Sequence, residues 1–357
     1  MRICVIVPSY NPDEKLISTV KGLAEEGFDD ILVINDGSDE AHNQPFVEVG
    51  KLPGVTLVCH EVNKGKGRAM KTAFQYCIEN RKDIDGVVTV DGDGQHRPGD
   101  VRACCNEMIA KADQNCVVLG CRDFSKPDVP PRSRMGNNIT KGVFRFACGI
   151  RISDTQTGLR AIPAALLPFM TEVSGERYEY ETQMLLEMNR KGIPFSEVTI
   201  DTVYIEENAS SHFHPFRDSF KIYAVILKFI MNSLLSFVID IVLFTILEFI
   251  IGEKLPHWAM ILIATAGARV VSSLYNYTMN RSKVFESEVS VKSSLPRYYV
   301  LCLGQMLVSY GLVNALSWVL KTGNILTSVI KVLVDVTLFL LSFQIQRQWV
   351  FADKKNK

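Results

Sequence analysis

Gly86-Val87-Val88-Thr89-Val90-Asp91-Gly92-Asp93-Gly94-Gln95-His96 runs a short apolar segment straight into two carboxylates one glycine apart. Val87, Val88 and Val90 suit a buried strand, which places the acids at its C-terminal edge, where open α/β sheets bind ligands. Gly92 and Gly94 let the backbone turn tightly, so Asp91 and Asp93 can converge on one cation. Oxygen ligands of this kind suit Mg2+ or Mn2+ holding a diphosphate. Taken alone, the stretch reads more readily as a surface turn, because Asp-Gly is a common turn dipeptide. An EF-hand is disfavoured, since a loop counted from Asp91 has His96 where glycine is needed.

The chain has 357 residues and a formal net charge of zero, enough for a sizeable core and two units. Up to about residue 220 charges are frequent and apolar runs short; beyond it come long apolar runs with few charges. That is the pattern of a soluble domain followed by a membrane domain. The apolar run before Pro8 is too short for the core of a signal peptide, so the first domain is expected on the cytosolic side. Eight of the nine cysteines lie in it, with no C-x-x-C spacing. Free thiols in a reducing compartment fit this better than disulfides or a zinc site. No nucleic-acid partner is expected.

Ile3 to Val7 reads as a buried parallel strand, followed by the turn Pro8-Ser9-Tyr10-Asn11-Pro12 and a helix from about Glu14 to Glu26. Ile31 to Asn35 is a second strand ending in Asp36-Gly37-Ser38-Asp39. Val55 to Cys59 is a third, followed by Asn63-Lys64-Gly65-Lys66-Gly67-Arg68 and a helix to about Asn80. Strands and helices alternate and polar clusters recur at the strands' C-terminal ends, which indicates a doubly wound, mostly parallel α/β sheet with its site along one edge. Each cluster has a plain alternative. The glycine-rich loop is either a phosphate cradle at a helix N-terminus or a basic loop, since it lacks Walker and G-x-G-x-x-G spacing. Asp36 either accepts hydrogen bonds from a nucleoside or belongs to a simple turn.

Six elements in order, Val7-Pro-Ser-Tyr-Asn11, Ile34-Asn-Asp-Gly-Ser38, Asn63-Lys-Gly-Lys-Gly67, Asp91-Gly-Asp-Gly-Gln-His96, Gly120-Cys-Arg122 and Asp154-Thr-Gln-Thr-Gly-Leu-Arg160, make residues 1–215 resemble a family 2, GT-A fold glycosyltransferase. The type resembled is the polyprenyl-phosphate sugar synthase, dolichyl-phosphate mannose synthase included. The resemblance implies that Pro8, Tyr10, Asn11, Asp36 and Lys64 hold the nucleotide-sugar and that Asp91 contacts its ribose or sugar. It implies Asp93 and Gln95 as ligands of Mg2+ or Mn2+, and Arg122 and Arg134 on phosphates of donor and acceptor. Asp154 would position the acceptor or the reacting sugar. A phosphate monoester is largely dianionic at neutral pH, so Asp154 and Glu179 are expected to orient rather than to abstract a proton. Glu179 is alternatively a solvent-facing residue of the helix leading to Lys191.

From Pro130 to Gly149, Arg132, Arg134, Lys141 and Arg145 mix with Val143, Phe144 and Phe146, a composition suited to anionic headgroups and shared by amphipathic surface helices. Relatives of this type often carry an arginine after the last strand, where this chain has Asp201-Thr202-Val203-Tyr204. Ser211, His212 and their neighbours supply either neutral acceptor contacts or a polar linker, 216–228 forming the interfacial connection.

Four apolar stretches, Phe229 to Ile251, Trp258 to Met279, Tyr298 to Leu320 and Ile325 to Ile345, each reach the ~20 residues that span a bilayer. Basic residues gather before the first, between the second and third and after the fourth, so both ends are expected in the cytoplasm of a multi-pass cell-membrane protein. Tyr277-x-x-Asn280-Arg281-x-x-Val284-Phe285 returns 66 residues later as Phe343-x-x-Gln346-Arg347-x-x-Val350-Phe351, either a hairpin repeat or a shared exit signature. Asp240, Arg269, Lys331 and Asp335 fall inside spans and are expected to face the bundle interior, lining a sugar-phosphate path or pairing to hold helices together. Residues 229–352 resemble the GtrA-like membrane proteins, carried by Ala268-Arg269, Asn276-Tyr277, Asn280-Arg281 and Gln346-Arg347-x-Trp349-Val350-Phe351. Such proteins are associated with flipping polyprenyl-phosphate sugars or supporting the synthase.

The expectation is a GT-A α/β catalytic domain followed by an all-α, four-span transmembrane domain. It transfers a sugar with inversion from a nucleotide-sugar, UDP-glucose or UDP-N-acetylglucosamine first and GDP-mannose second, to polyprenyl phosphate. Self-association as a homo-oligomer is left open. A processive polysaccharide synthase fits less well, since Gln346-Arg347-Gln348-Trp349 lacks Q-x-x-R-W spacing. A non-catalytic scaffold or transporter with a degenerate enzyme domain is opposed by the intact Asp91, Asp93, Gln95 and Arg122.

Overall fold

A computed structural model describes residues 2–126, 129, 131–201, 220–251, 256–321 and 324–352. The chain divides into two compact units, Met1–Phe220 and Lys221–Lys357.

In the first unit the short apolar runs pair because β-branched residues can bury both faces of a strand once helices cover the sheet. The strands are β1 (Ile3–Ser9), β2 (Ile31–Asn35), β3 (Val55–Cys59), β4 (Gly86–Thr89), β5 (Val117–Arg122), β6 (Arg160–Pro163) and β7 (Phe195–Ile200), in spatial order β3-β2-β1-β4-β6-β5-β7. Helix α1 (Lys15–Glu25) shows how the sheet is covered: Leu16, Thr19, Val20 and Leu23 form its buried stripe, the i, i+3, i+4, i+7 face of an amphipathic helix. Helices α2 (Gln44–Val49), α3 (Lys66–Asn80) and α4 (Pro98–Ala110) follow in the chain.

One strand runs the other way. β6 is antiparallel to both β4 and β5, with Thr89 opposite Arg160 and Leu119 opposite Arg160. The segment entering β6, Asp154–Leu159, therefore reaches the same edge at which β1, β2, β4 and β5 end, and that single reversal adds a loop to the site. Helices α5 (Pro131–Val143), α6 (Leu167–Glu172) and α7 (Glu179–Lys191) complete the unit.

The second unit holds four helices, Phe220–Ile251, His257–Met279, Val291–Leu320 and Asn324–Ile345, all long and apolar enough to cross a membrane. The third begins at Val291, ahead of the expected Tyr298, because Ser294 is buried against Tyr277 through a 2.7 Å hydroxyl contact. The second and fourth each end in a π-helical turn, Asn280–Val284 and Gln346–Val350.

These turns coincide with the sequence echo, and the echoed residues touch one another. Asn280 Nδ2 donates to Gln346 Oε1 at 3.0 Å, and Phe285 stacks on Phe351 at 5.3 Å between ring centroids. The contacts are also reciprocal: Tyr277 meets Phe351 at 5.8 Å while its counterpart Phe343 meets Phe285 at 5.4 Å. Residue i on j together with j on i is the mark of a two-fold relation, whereas a shared exit signature requires no contact between its copies. The two hairpins are thus a repeat related by a local two-fold passing between Asn280 and Gln346.

The intramembrane charges follow expectation in part, the Asp240–Arg269 pair joining the first and second helices. Asp240 is mostly covered, 2.8 Å from Ser272 Oγ and 3.2 Å from Arg269. Arg269, Lys331 and Asp335, however, leave 71%, 59% and 47% of their side chains exposed. Lys331 and Asp335 pair along one helix at 2.7 Å, and Ser309 Oγ of the third helix donates to Asp335 at 2.6 Å.

Candidate active site

The first two strand-end turns are tied together. Asn11 sits in the left-handed region at φ 47° and its N–H donates to Ser38 Oγ at 2.8 Å, while its side chain exchanges hydrogen bonds with Asp39. Pro8 is partly covered and Tyr10 is half exposed beside them.

Asp36 is buried and fully engaged. It accepts from the backbone N–H groups of Lys64 at 3.0 Å and Gly65 at 2.7 Å, with His60 Nδ1 2.7 Å away. It therefore braces the glycine-rich loop. Gly65 is required there, at φ 100° and with Glu176 O 2.5 Å from where a Cβ would stand. The loop leaves Lys64 exposed and turns Lys66 inward, where Nζ lies 2.7 Å from Asp91 Oδ1 and 2.9 Å from Glu181 Oε1.

Asp91 emerges from β4 against Gly158, where any Cβ would collide with its carboxylate. His96, with 7% of its side chain exposed, brings Nε2 to 3.6 Å of the other Asp91 oxygen. Burial pushes the Asp91 carboxyl up, but the Lys66 ammonium and His96 outweigh it and hold the group well below the usual carboxylate range. Asp93 behaves oppositely: burial first, then the neighbouring Asp91 charge, raises its carboxyl. The Gln95 N–H donates to Asp93 Oδ1 at 3.0 Å and closes the turn.

At the end of β5, Arg122 makes a two-pronged pair with the fully buried Asp154, Nε to Oδ2 at 2.7 Å and Nη2 to Oδ1 at 3.1 Å. Asp91, Gln95, His96, Arg122, Gln156 and Gly158 line one cleft. Arg134 donates to the carbonyls of Phe124 and Lys126 at 3.0 and 2.7 Å, so it shapes the loop after β5. Glu179 Oε1 accepts the N–H of Glu176 at 3.1 Å at the start of α7.

Sequence reasoning passed over Lys66, Glu181, His96 and Arg160. Arg160 is 1% exposed and donates to Thr157 O at 3.1 Å and Glu181 O at 2.8 Å, clamping the segment before β6 to α7. Helical phase could have found Glu181, since residues two apart on a helix point about 200° apart and Glu179 caps the outer end. Lys141 is exposed on α5, beside the exposed apolar residues Met135 and Ile139. Arg132 lies in α5, its side chain outside the described residues, as are Ser211 and His212 altogether.

The donor set suits a divalent cation. Among the described residues no three or more His, Cys, Asp or Glu side chains converge, but Mg2+-like ions take one or two carboxylates plus substrate phosphates. Asp93, whose carboxyl is raised by burial and then by the neighbouring Asp91 charge, is a group that such a cation would relieve.

Residues 4–165 match the glycosyl transferase family 2 domain, and residues 228–356 the GtrA/DPMS transmembrane domain. The protein joins a family 2 glycosyltransferase to a GtrA/DPMS membrane domain. Over 221 residues the chain is 28% identical to a UDP-N-acetylglucosamine–dolichyl-phosphate N-acetylglucosaminyltransferase of Methanococcus voltae, covering 57% of this chain and 86% of that protein. It is 26% identical over 210 residues to an undecaprenyl-phosphate mannosyltransferase of Micrococcus luteus, covering 57% and 84%. The mannosyl-3-phosphoglycerate synthase of Rubrobacter xylanophilus superposes at a TM-score of 0.48 with 16% identity, over 63% of this chain and 72% of that one. The Methanococcus voltae and Micrococcus luteus relatives are transferases named for dolichyl and undecaprenyl phosphate, and the four membrane-length helices make this chain a multi-pass membrane glycosyltransferase.

Proposed function

We propose that the family 2 domain moves one sugar from a nucleotide-sugar to a polyprenyl phosphate at the cytosolic leaflet, with inversion. The cleft in which Asp91, Gln95 and Arg122 meet at one sheet edge carries this reading. The acceptor phosphate oxygen forms a bond to the anomeric carbon as the bond from that carbon to the nucleoside diphosphate breaks, and no strong base is needed. Asp93 and Gln95 would hold Mg2+ or Mn2+. When bound, the cation neutralises the departing diphosphate.

The protein's own residues supply the rest. Asp91, kept ionised by Lys66, orients the sugar or ribose. Pro8, Tyr10, Asn11 and the loop braced by Asp36 hold the nucleotide. Asp154 aims Arg122 at phosphate oxygens, a task for which arginine's planar fork is suited. A UDP-sugar, glucose or N-acetylglucosamine, is the favoured donor because of the Methanococcus voltae relative; the Micrococcus luteus relative keeps GDP-mannose as the second reading. The membrane domain would retain the lipid product and move it across.

The test is transfer from radiolabelled UDP- and GDP-sugars to polyprenyl phosphate by the purified chain with Mn2+. One donor should give a chloroform-soluble product that Asp93→Ala abolishes. No lipid product from any donor would overturn the reading.

A further inference from the structure

Helix α5 carries its polarity the wrong way round for a helix on a soluble surface, which buries apolar residues and leaves polar ones to water. Asn137 and Thr140 are buried with Phe144, while Met135 and Ile139 stand 61% and 52% exposed. Both sets follow helical spacing: 137, 140 and 144 share the inward face and 135, 139 and 142 the outward one, residues two apart pointing about 200° apart. The inward face is pinned beside both members of the Arg122–Asp154 pair. Asn137 Nδ2 donates to the carbonyl of Ser153, the residue before Asp154, at 2.9 Å. Arg134 holds the carbonyls of Phe124 and Lys126 in the loop that follows Arg122. The outward face is open: at Gly142, among the described residues, no atom outside the helix backbone lies within 4 Å of where a side chain would begin.

The segment is also basic. Between Asp128 and Asp154 the sequence carries Arg132, Arg134, Lys141, Arg145 and Arg151 and no acidic residue. Lys141 and Arg145, one turn apart along a flank of the apolar stripe, are exposed, and among the described residues neither has a carboxylate partner. An apolar stripe flanked by bases is the composition of a helix lying between lipid headgroups and acyl chains. The chain's own four membrane-length helices keep a bilayer within reach of the domain, so this surface meets lipid at an effective concentration that a free protein partner does not match. We propose that α5 rests on the bilayer surface, Met135 and Ile139 inserted below the headgroups and Lys141 and Arg145 against anionic lipid. Docking there brings Arg122 and Asp154, tied to the same helix, to the level of a lipid-borne phosphate, the acceptor of the proposed transfer. That consequence rests on the proposed function; the docking does not.

The experiment uses the full-length chain carrying Cys59→Ser, with a nitroxide at Met135→Cys, at Ile139→Cys or, as a water-exposed reference, at Val47→Cys, whose native side chain is 44% exposed on α2. The signal of the Cys59→Ser chain alone is subtracted. The protein is reconstituted into vesicles of phosphatidylcholine, alone or with about one third phosphatidylglycerol. Collisions with oxygen, which concentrates among acyl chains, are compared with those of a nickel chelate, which stays in water. With anionic lipid, oxygen should dominate at positions 135 and 139 and nickel at 47. Omitting the anionic lipid, or Lys141→Gln with Arg145→Gln, should lower the docked-to-free ratio by roughly 25-fold, about fivefold per basic residue. Gly142→Leu, which lengthens the stripe into open space, should recover about tenfold of that loss. Nickel dominating at 135 and 139 in anionic vesicles would overturn the proposal, as would a ratio indifferent to lipid charge. Low collision rates with both reagents would overturn it too, since protein, either the second unit or another copy, would then cover the stripe. None of these readings needs turnover, so a chain that docks yet transfers no sugar would sink the proposed activity and leave α5 on the membrane.

Discussion

Asp93 is a carboxylate whose surroundings oppose its charge. Its carboxyl is raised by burial and by Asp91, so the folded state holds the proton more tightly than the unfolded chain does. The metal-free domain accordingly loses stability as pH rises from the ordinary carboxylate range through that raised value. Asp93→Asn should make the metal-free protein melt higher than wild type at neutral pH and remove the Mn2+-induced rise in melting temperature. A mutant that melts lower would show that the carboxylate is not in conflict. Asp154 is the reverse case, a buried acid wholly taken up by Arg122. Asp154→Ala strands a guanidinium and should cost ~3 kcal/mol in urea unfolding, together with loss of transfer. At this scale the sequence was informative about identities and less so about directions. Lys64 and Glu179 stood out as chemistry-bearing residues, yet Lys66 and Glu181 are the pair that reaches Asp91. The difference is one residue past a glycine at φ 100° and half a helical turn, both set by tertiary packing.

The elements that meet at the cleft come from separate parts of the chain, and their coupling is measurable. Lys66 opens α3 and Glu181 lies in the first turn of α7, and their side chains form a 2.9 Å ion pair. Lys66→Met and Glu181→Gln should each lower kcat, and the double variant should lose less than the sum, since the two act through Asp91. Strict additivity would mean that they do not. Gly158→Ala tests the reversed strand in the same way. Its Cβ would occupy the Asp91 carboxylate's place, so transfer should fall at least about tenfold with little change in the melting curve. Strand positions were legible because parallel strands are short apolar runs; the buried β2 and the partly covered edge strand β3 fall where they were expected. The reversal of β6 was not, because Arg160-Ala-Ile-Pro163 carries no mark of direction and its pairing is fixed by partners 41 and 43 residues away in β5 and more than seventy away in β4.

For the whole molecule, sidedness is open to direct measurement. Cys59 is the one exposed cysteine of the nine, Cys148 and Cys302 being half-buried and the others buried. If the family 2 domain faces the cytoplasm, a membrane-impermeant maleimide should label the chain strongly in inverted vesicles and weakly in right-side-out ones, with Cys59→Ser removing most of the signal. Labelling in right-side-out vesicles would reverse the orientation. The membrane unit was legible as four spans because hydropathy over ~20 residues suffices. The lateral exposure of Arg269 and Asp335 was not, since composition says nothing about which way a helix faces. The sheet has a second consequence of a practical kind. All the cleft loops leave one edge of it, so the connections at the opposite edge are free of chemistry. The turn at Lys82-Asp83, with Asp83 84% exposed, precedes β4 and stands about 26 Å along the chain's extended path from Asp91. A rigid fiducial inserted there would give electron microscopy a visible feature on a small protein half hidden in detergent, while the enzyme continues to turn over beneath it.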